Sequence, residues 1–133
     1  MAGGPQLPDR APRAKGAPTA LDGLLVVDFT RVVAGTACTQ TLADFGAGVI
    51  KIENPDGGDD TSSYVHADLA GESAALIRLK RNNRGIALDL PKPEARDIVR
   101  ELIARADVVV ENFFAGVMKK HGLDYASVAP TNH

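Results

Sequence analysis

Leu21–Glu53 reads LDGLLVVDFTRVVAGTACTQTLADFGAGVIKIE, and the fold follows from how its apolar residues are spaced. Leu24–Phe29 (LLVVDF) is a short apolar run that suits a strand buried on both faces. Arg31–Gly35 reads as a turn. Thr36 is placed to cap a helix running to about Phe45, with Ala37, Thr41, Leu42 and Phe45 on one side of it. Gly46 follows as the residue that tolerates the left-handed position at a helix end. Val49–Glu53 (VIKIE) is a second strand, and Asn54–Ser63 (NPDGGDDTSS) is a loop of turn formers.

The same alternation resumes downstream. Gly85–Leu90 (GIALDL) reads as a third strand. Pro93 opens a helix, PEARDIVRELIARA, where its missing N–H costs nothing. Ala95, Ile98, Val99, Leu102, Ile103 and Ala106 form a one-sided apolar stripe. Glu94 in the first turn and Arg105 in the last suit the helix dipole. Asp107–Asn112 (DVVVEN) is a fourth strand, and Ala115–His121 a short helix stopped by Gly122. His66–Leu76, between the halves, reads as loop with a short helical piece. The order β-α-β, linker, β-α-β-α predicts an α/β fold with a Rossmann-like parallel sheet. Ligands of such sheets bind outside the carboxyl ends of the strands. Those ends carry Asp28–Gly35, Glu53–Asp59, Asp89–Lys92 and Glu111–Gly116.

Upstream, Met1–Thr19 stands apart, with Pro5, Pro8, Pro12 and Pro18 among glycine, alanine and scattered basic residues. Such a segment buries too little apolar surface to offset its ordering entropy, so residues 1–19 are expected to be a flexible leader and 20–133 the folded unit. It has no apolar core of a secretory signal, and its prolines work against the amphipathic helix of a mitochondrial presequence.

The whole chain has 133 residues, 44% of them hydrophobic and 24% charged, with a formal net charge of -2. Those proportions belong to a globular protein. The charge balance lacks the basic excess of a dedicated nucleic-acid binder, and no apolar run is long enough to cross a bilayer. The single cysteine, Cys38, forms no internal disulfide, and a reducing, cytoplasmic setting fits.

Several clusters invite a chemical reading. The dinucleotide fingerprint is absent: TRVVAGTAC holds one glycine, Gly35, and Gly46-Ala47-Gly48 precedes a strand. Gly35 beside Thr36 suits either close approach of a ligand to helix N–H groups or a tight structural turn. Arg78, Lys80, Arg81 and Arg84 with Asn82 and Asn83 suit either a phosphorylated cofactor or a solvated loop face. Cys38 reads as a buried core thiol or as a thiolate stabilised near a helix start. His66, His121 and His133 have no metal-ligand spacing. Asp59-Asp60 read as loop carboxylates. Asn112, Phe113 and Phe114 follow the fourth strand directly; they suit a bound heterocycle and its arm, or packing under the last helix.

Four motifs together, LDGLLVVDFTRVVAGTACTQTLADFGAGVIKIE, GGDDT, RNNRGIALDL and ADVVVENFFAGVMKKHGLDYASV, resemble the class III coenzyme A transferases of the CaiB/BaiF type. The resemblance runs from Leu21 to Val128 and is nearest in flavour to formyl-CoA transferases. That family also holds dicarboxylate and carnitine CoA-transferases and alpha-methylacyl-CoA racemases. It implies a Rossmann-like large domain, a smaller domain and an interlocked homodimer. The implied substrates are an acyl-CoA and a carboxylic acid, with no resident metal, no nucleic acid and no membrane. The implied reaction passes through an aspartyl-CoA thioester. The nucleophilic aspartate is expected beyond His133, so the chain is expected to be the opening third of a member and inactive alone. A racemase or a non-catalytic CoA-binding fragment is the alternative.

The resemblance assigns CoA contacts to Val33, Ala34, Asn54, Leu88, Asp89, Leu90, Pro91, Asn112, Phe113, Phe114 and Lys120. It also marks departures. Val33 replaces a glutamine, Asn54 a basic residue, Ser62 an arginine and Pro91 a lysine. Lys120 replaces an arginine, keeping the charge but not the bidentate fork.

Overall fold

The computed structural model describes residues 16–56, 68–69, 72–73 and 81–132. Within them run β1 (Leu25–Asp28), α1 (Val32–Asp44) and β2 (Gly48–Glu53). A two-residue pair follows, β3 (Asp68–Leu69) antiparallel to β4 (Glu72–Ser73). Then come β5 (Asn83–Ala87), α2 (Pro93–Arg105), β6 (Val108–Val110), α3 (Val117–Lys120) and α4 (Tyr125–Val128). A 3-10 turn at Ala129–Thr131 ends the described chain. The readings of residues 1–19 as a flexible leader, of the segment beyond Asp56 as a loop and of His66–Leu76, with Asp59-Asp60, Ser62, Arg78, Lys80 and His133, fall wholly or largely outside the described residues.

Four strands form one parallel sheet in the order β5-β2-β1-β6. The expected α/β, Rossmann-like sheet is therefore present. β1 is central and is buried on both faces, with Val26 at 1% exposure and Val27 at 0%. Side chains alternate across a strand, so Val27 and Phe29 serve one face and Val26 and Asp28 the other. On the first face Val27 and Phe29 cluster with Val99 and Ile103 of α2 and with Met118 and Leu123. On the second, Val26 and Val49 cluster with Ala43 and Ala47. Each fully buried valine or isoleucine contributes about 2 kcal/mol through removal from water.

Helix α2 follows the sequence expectation: proline lies in its first turn with Glu94, and Arg105 lies in its last. Ala95, Val99 and Ile103 are its buried residues. Ile98, expected in the stripe, is instead 43% exposed.

Helix α1 departs in two ways. It starts at Val32, four residues before the expected Thr36 cap, and Arg31 at its cap makes no side-chain capping bond. Thr36 is instead buried one turn inside, its hydroxyl 3.4 Å from the Lys51 ammonium. The buried residues are Thr36, Thr39, Gln40 and Ala43, whereas Thr41 and Phe45 face outward. The reason lies beneath the helix: Asp28 and Lys51 are there, so hydroxyls and not rings face the sheet. The same rotation leaves Cys38 exposed, which removes the buried-thiol reading.

Gly46 ends the helix as expected, at φ +102. A Cβ there would stand 1.5 Å from Thr19 Oγ1, so glycine is needed twice over. β5 starts at Asn83, two residues before the expected strand, and ends before Leu88. The short helix expected over Ala115–His121 is present as α3, stopped by Gly122 at φ +64, and α4 beyond it was not expected.

Candidate functional site at the switch between β1 and β6

From β1 the chain winds outward to β2 and β5. It then returns to place β6 on the opposite side of β1. The carboxyl ends of β1 and β6 therefore flank the point where the winding direction reverses, which is where open α/β sheets leave a ligand crevice.

The β1 side of the crevice is Thr30, Arg31, Val32 and Val33. Phe29 N–H still pairs with the Val110 carbonyl at 2.8 Å. Past that point Asn112 takes over. Its Oδ1 accepts the Arg31 N–H at 2.8 Å and its Nδ2 donates to the Arg31 carbonyl at 2.8 Å. The Arg31 guanidinium lies over the Phe113 ring, 5.3 Å from its centroid, a cation–π arrangement. Phe113 N–H is in turn held by the Glu111 carboxylate at 2.8 Å. Phe114 is 92% exposed.

Val32 begins α1 with φ +62. For a β-branched residue that is a strained backbone, costing on the order of 1–3 kcal/mol. Gly35 one turn on is required by close approach: a Cβ there would come within 2.4 Å of Thr30 Cβ. No acidic residue lies in the first turn of α1. The positive end of the helix dipole is thus left uncompensated by a carboxylate of its own first turn.

Under the crevice lies a buried polar network. Asp28 and Lys51 are 0% and 2% exposed and are register partners on β1 and β2. The Lys51 ammonium is 3.5 Å from Asp28 Oδ2 and donates to the Thr30 carbonyl at 2.7 Å. Asp28 accepts the Thr30 N–H at 2.7 Å and the Thr39 hydroxyl at 2.6 Å. Neither Lys51 nor Arg31 stood out in the sequence. The available signal was a lone acid in LLVVDF and a lone base in VIKIE, each inside a short apolar run. Arg31 gave none, because its tie to Asn112 runs through its backbone.

The other assigned residues lie apart from this pair. Asn54 follows β2, exposed, and its Oδ1 accepts the Asp56 N–H at 3.0 Å. Leu88–Pro91 follow β5 at the far side of the sheet. There Leu88 and Leu90 pack on the core, and Arg96 donates to the carbonyls of Leu90 and Pro91. Asp89 pairs with Lys92 at 3.4 Å. Lys120 ends α3 and is exposed. Val33 and Ala34 are in the first turn of α1, on the crevice. Arg81 and Asn82, from the basic cluster, are spent on Asp44 instead. Their hydrogen bonds, Arg81 first, hold the Asp44 carboxyl below its ordinary pKa against a smaller effect of desolvation.

A separate hollow of about 470 Å³ lies between β6, the end of α2 and α4, lined by Ile103, Val109, Met118, Leu123 and Tyr125 among others. None of the eleven assigned contacts lines it. Among the described residues no cluster of three or more His, Cys, Asp or Glu is arranged to hold a metal. No helix there is long and apolar enough to cross a membrane.

Comparison with known proteins decides the family. The model of CoA-transferase family III matches residues 21–133. The chain belongs to this family. A succinate–glutarate CoA-transferase of Agrobacterium fabrum is 45% identical to this family III chain over 118 residues, covering 84% of the chain and 30% of the relative. A formyl-CoA:oxalate CoA-transferase of Bradyrhizobium sp. is 40% identical over 113 residues, covering 85% of the chain and 27% of the relative. A solved CAIB/BAIF family protein from Brucella suis superposes with a TM-score of 0.80 at 44% identity, over 86% of the chain and 31% of that structure. The chain thus spans about 30% of the length of the relatives it matches.

Proposed function

We propose that this chain supplies the coenzyme A cradle of an enzyme that moves CoA from an acyl-CoA to a carboxylic acid. The observation that carries the reading is the crevice of a family III chain in which Arg31, Asn112 and Phe113 meet at the reversal of strand order. CoA offers phosphates, an adenine ring and a narrow pantetheine arm. The crevice offers a guanidinium, an exposed aromatic ring at Phe114 and a helix start free of first-turn acids, which fits those three parts.

In this reading Val33 and Ala34 lie against the arm, with Asn112, Phe113 and Phe114 opposite. Leu88, Asp89, Leu90 and Pro91 line the adenosine end. Asn54 and Lys120 stand at the rim, where Lys120 brings a charge to a phosphate. The chemical step belongs to an aspartate beyond His133. Its carboxylate attacks the thioester carbonyl and releases CoA thiolate, leaving a mixed anhydride. The thiolate then attacks the aspartyl carbonyl, expelling the donor's carboxylate and giving an aspartyl-CoA thioester. The acceptor carboxylate displaces CoA thiolate from it to form a second mixed anhydride. The thiolate attacks the acceptor's carbonyl, forming the new acyl-CoA and restoring the aspartate carboxylate. The setting is cytoplasmic and the working assembly is a homodimer.

Calorimetry with CoA tests the reading. Saturable binding without CoA exchange between a thioester and free carboxylates is the expected result. Absence of heat at about 1 mM ligand, where even a weak site would fill, would overturn the cradle. Exchange by the 133-residue chain would overturn the placing of the nucleophile.

A further inference from the structure

Thr30 and Arg31 are consecutive, and side chains grip both peptide groups of each. Asn112 holds the N–H and C=O of Arg31. The pair beneath holds Thr30: Asp28 Oδ1 accepts its N–H and Lys51 Nζ donates to its C=O, both at 2.7 Å. The Thr30 hydroxyl is buried and makes no hydrogen bond, so the residue is fixed through its backbone. Two positions on, Val32 carries the strained φ of +62 at which α1 begins. Strain of this kind persists only where neighbouring structure enforces it.

A buried ion pair is a poor source of stability, because desolvating two charges offsets most of their attraction. Apolar side chains already fill the neighbouring positions Val26 and Val49 on the same face. The sheet does not need a lysine there; the turn does. Lys51 reaches across from β2, and its hydrogen bond to the Thr30 carbonyl, at 2.7 Å, is much shorter than its contact with Asp28, at 3.5 Å.

We infer that Lys51 is a positioning residue for the crevice. Together with Asp28 it sets the path of residues 30–32, and through them the orientation of the backbone that a ligand meets at the start of α1. Its consequence for binding rests on the CoA reading above; its effect on the turn does not.

The test uses the 133-residue chain with Lys51→Met and Asp28→Asn combined, so that no charge is stranded in the interior. Amide hydrogen exchange is followed at Arg31–Val33 and, for reference, at Val26, Val27 and Val99. Exchange at Arg31–Val33 is expected to accelerate about tenfold or more with the reference amides unchanged, and CoA affinity to fall about tenfold. Adding Val32→Gly is expected to recover most of that affinity, since glycine holds a positive φ without strain. Loss of a core contact alone would not be rescued in this way.

Parent-like exchange and parent-like affinity in the folded double variant would overturn the inference. Should that variant not fold, Lys51→Leu with Asp28→Asn, which likewise strands no charge, is read by the same criteria. A parent chain that does not bind CoA overturns the functional reading only, and the exchange measurement still decides the role of Lys51.

Discussion

Asn112 donates to the carbonyl of Arg31 and accepts from its N–H, across 81 positions of sequence. One side-chain amide thus does what a further pair of strand residues would do, joining β1 to β6 beyond the last ladder bond. Asn112→Ala is expected to lower CoA affinity about tenfold and unfolding free energy by about 1 kcal/mol, read by calorimetry and urea titration. Asn112→Asp keeps the acceptor and loses the donor, so it should fall between. An alanine variant that binds like the parent would detach the amide from the site.

Phe114 is almost wholly exposed and follows Asn112 and Phe113 directly. Phe114→Ala should leave the unfolding free energy, read by urea titration, within about 0.5 kcal/mol of the parent, since surface substitutions seldom do more. CoA affinity should nevertheless drop several-fold. Equal affinity in the two chains would remove the ring from the cradle.

Asp44 accepts from Arg81, Asn82 and Gln40, and its carboxyl is held below the ordinary value of 3.8. A carboxyl depressed on folding adds stability above its unfolded pKa and loses it as pH falls through the folded one. Melting of the parent should therefore weaken below about pH 4 more steeply than melting of Asp44→Asn. The same contact raises the Arg81 guanidinium further above its ordinary value, so its share lasts through neutral pH. The group is exposed, and the difference should shrink in high salt. Parallel melting profiles from pH 6 to pH 2 would contradict the assignment.

Gly46→Ala meets two penalties, a φ of +102 and the Thr19 side chain. It should cost about 1 kcal/mol for the backbone and more for the clash. Adding Thr19→Gly should recover the clash part alone, so thermal melting should place the double variant between Gly46→Ala and the parent.

Much of the architecture could be read from spacing. The strands β1, β2 and β6 lie in short apolar runs, and α2 is bracketed by Pro93, Glu94 and Arg105, features that act locally. The start of α1 could not be read, because Arg31 stands at its cap without a side-chain capping bond and the obvious hydroxyl, Thr36, turns inward to Lys51. Its buried face was hidden for the same reason: tertiary demand from two interior charges overrode the apolar pattern. Of the site, Asn112 and Phe113 were visible as an amide and a ring at a strand end. The grip on Arg31 and Thr30 was not, since it acts on peptide groups that every residue has.

The sheet order also has a kinetic side. β2 reaches β1 after one 13-residue helix, whereas Asp28 meets Val110 only after 82 positions. Closing the longer span costs more chain entropy, and parallel pairing over such distances is slow. The first crossover can therefore assemble early during folding. The cleft beside it comes into being with the final strand, and competence to hold a ligand should be among the last properties the polypeptide acquires.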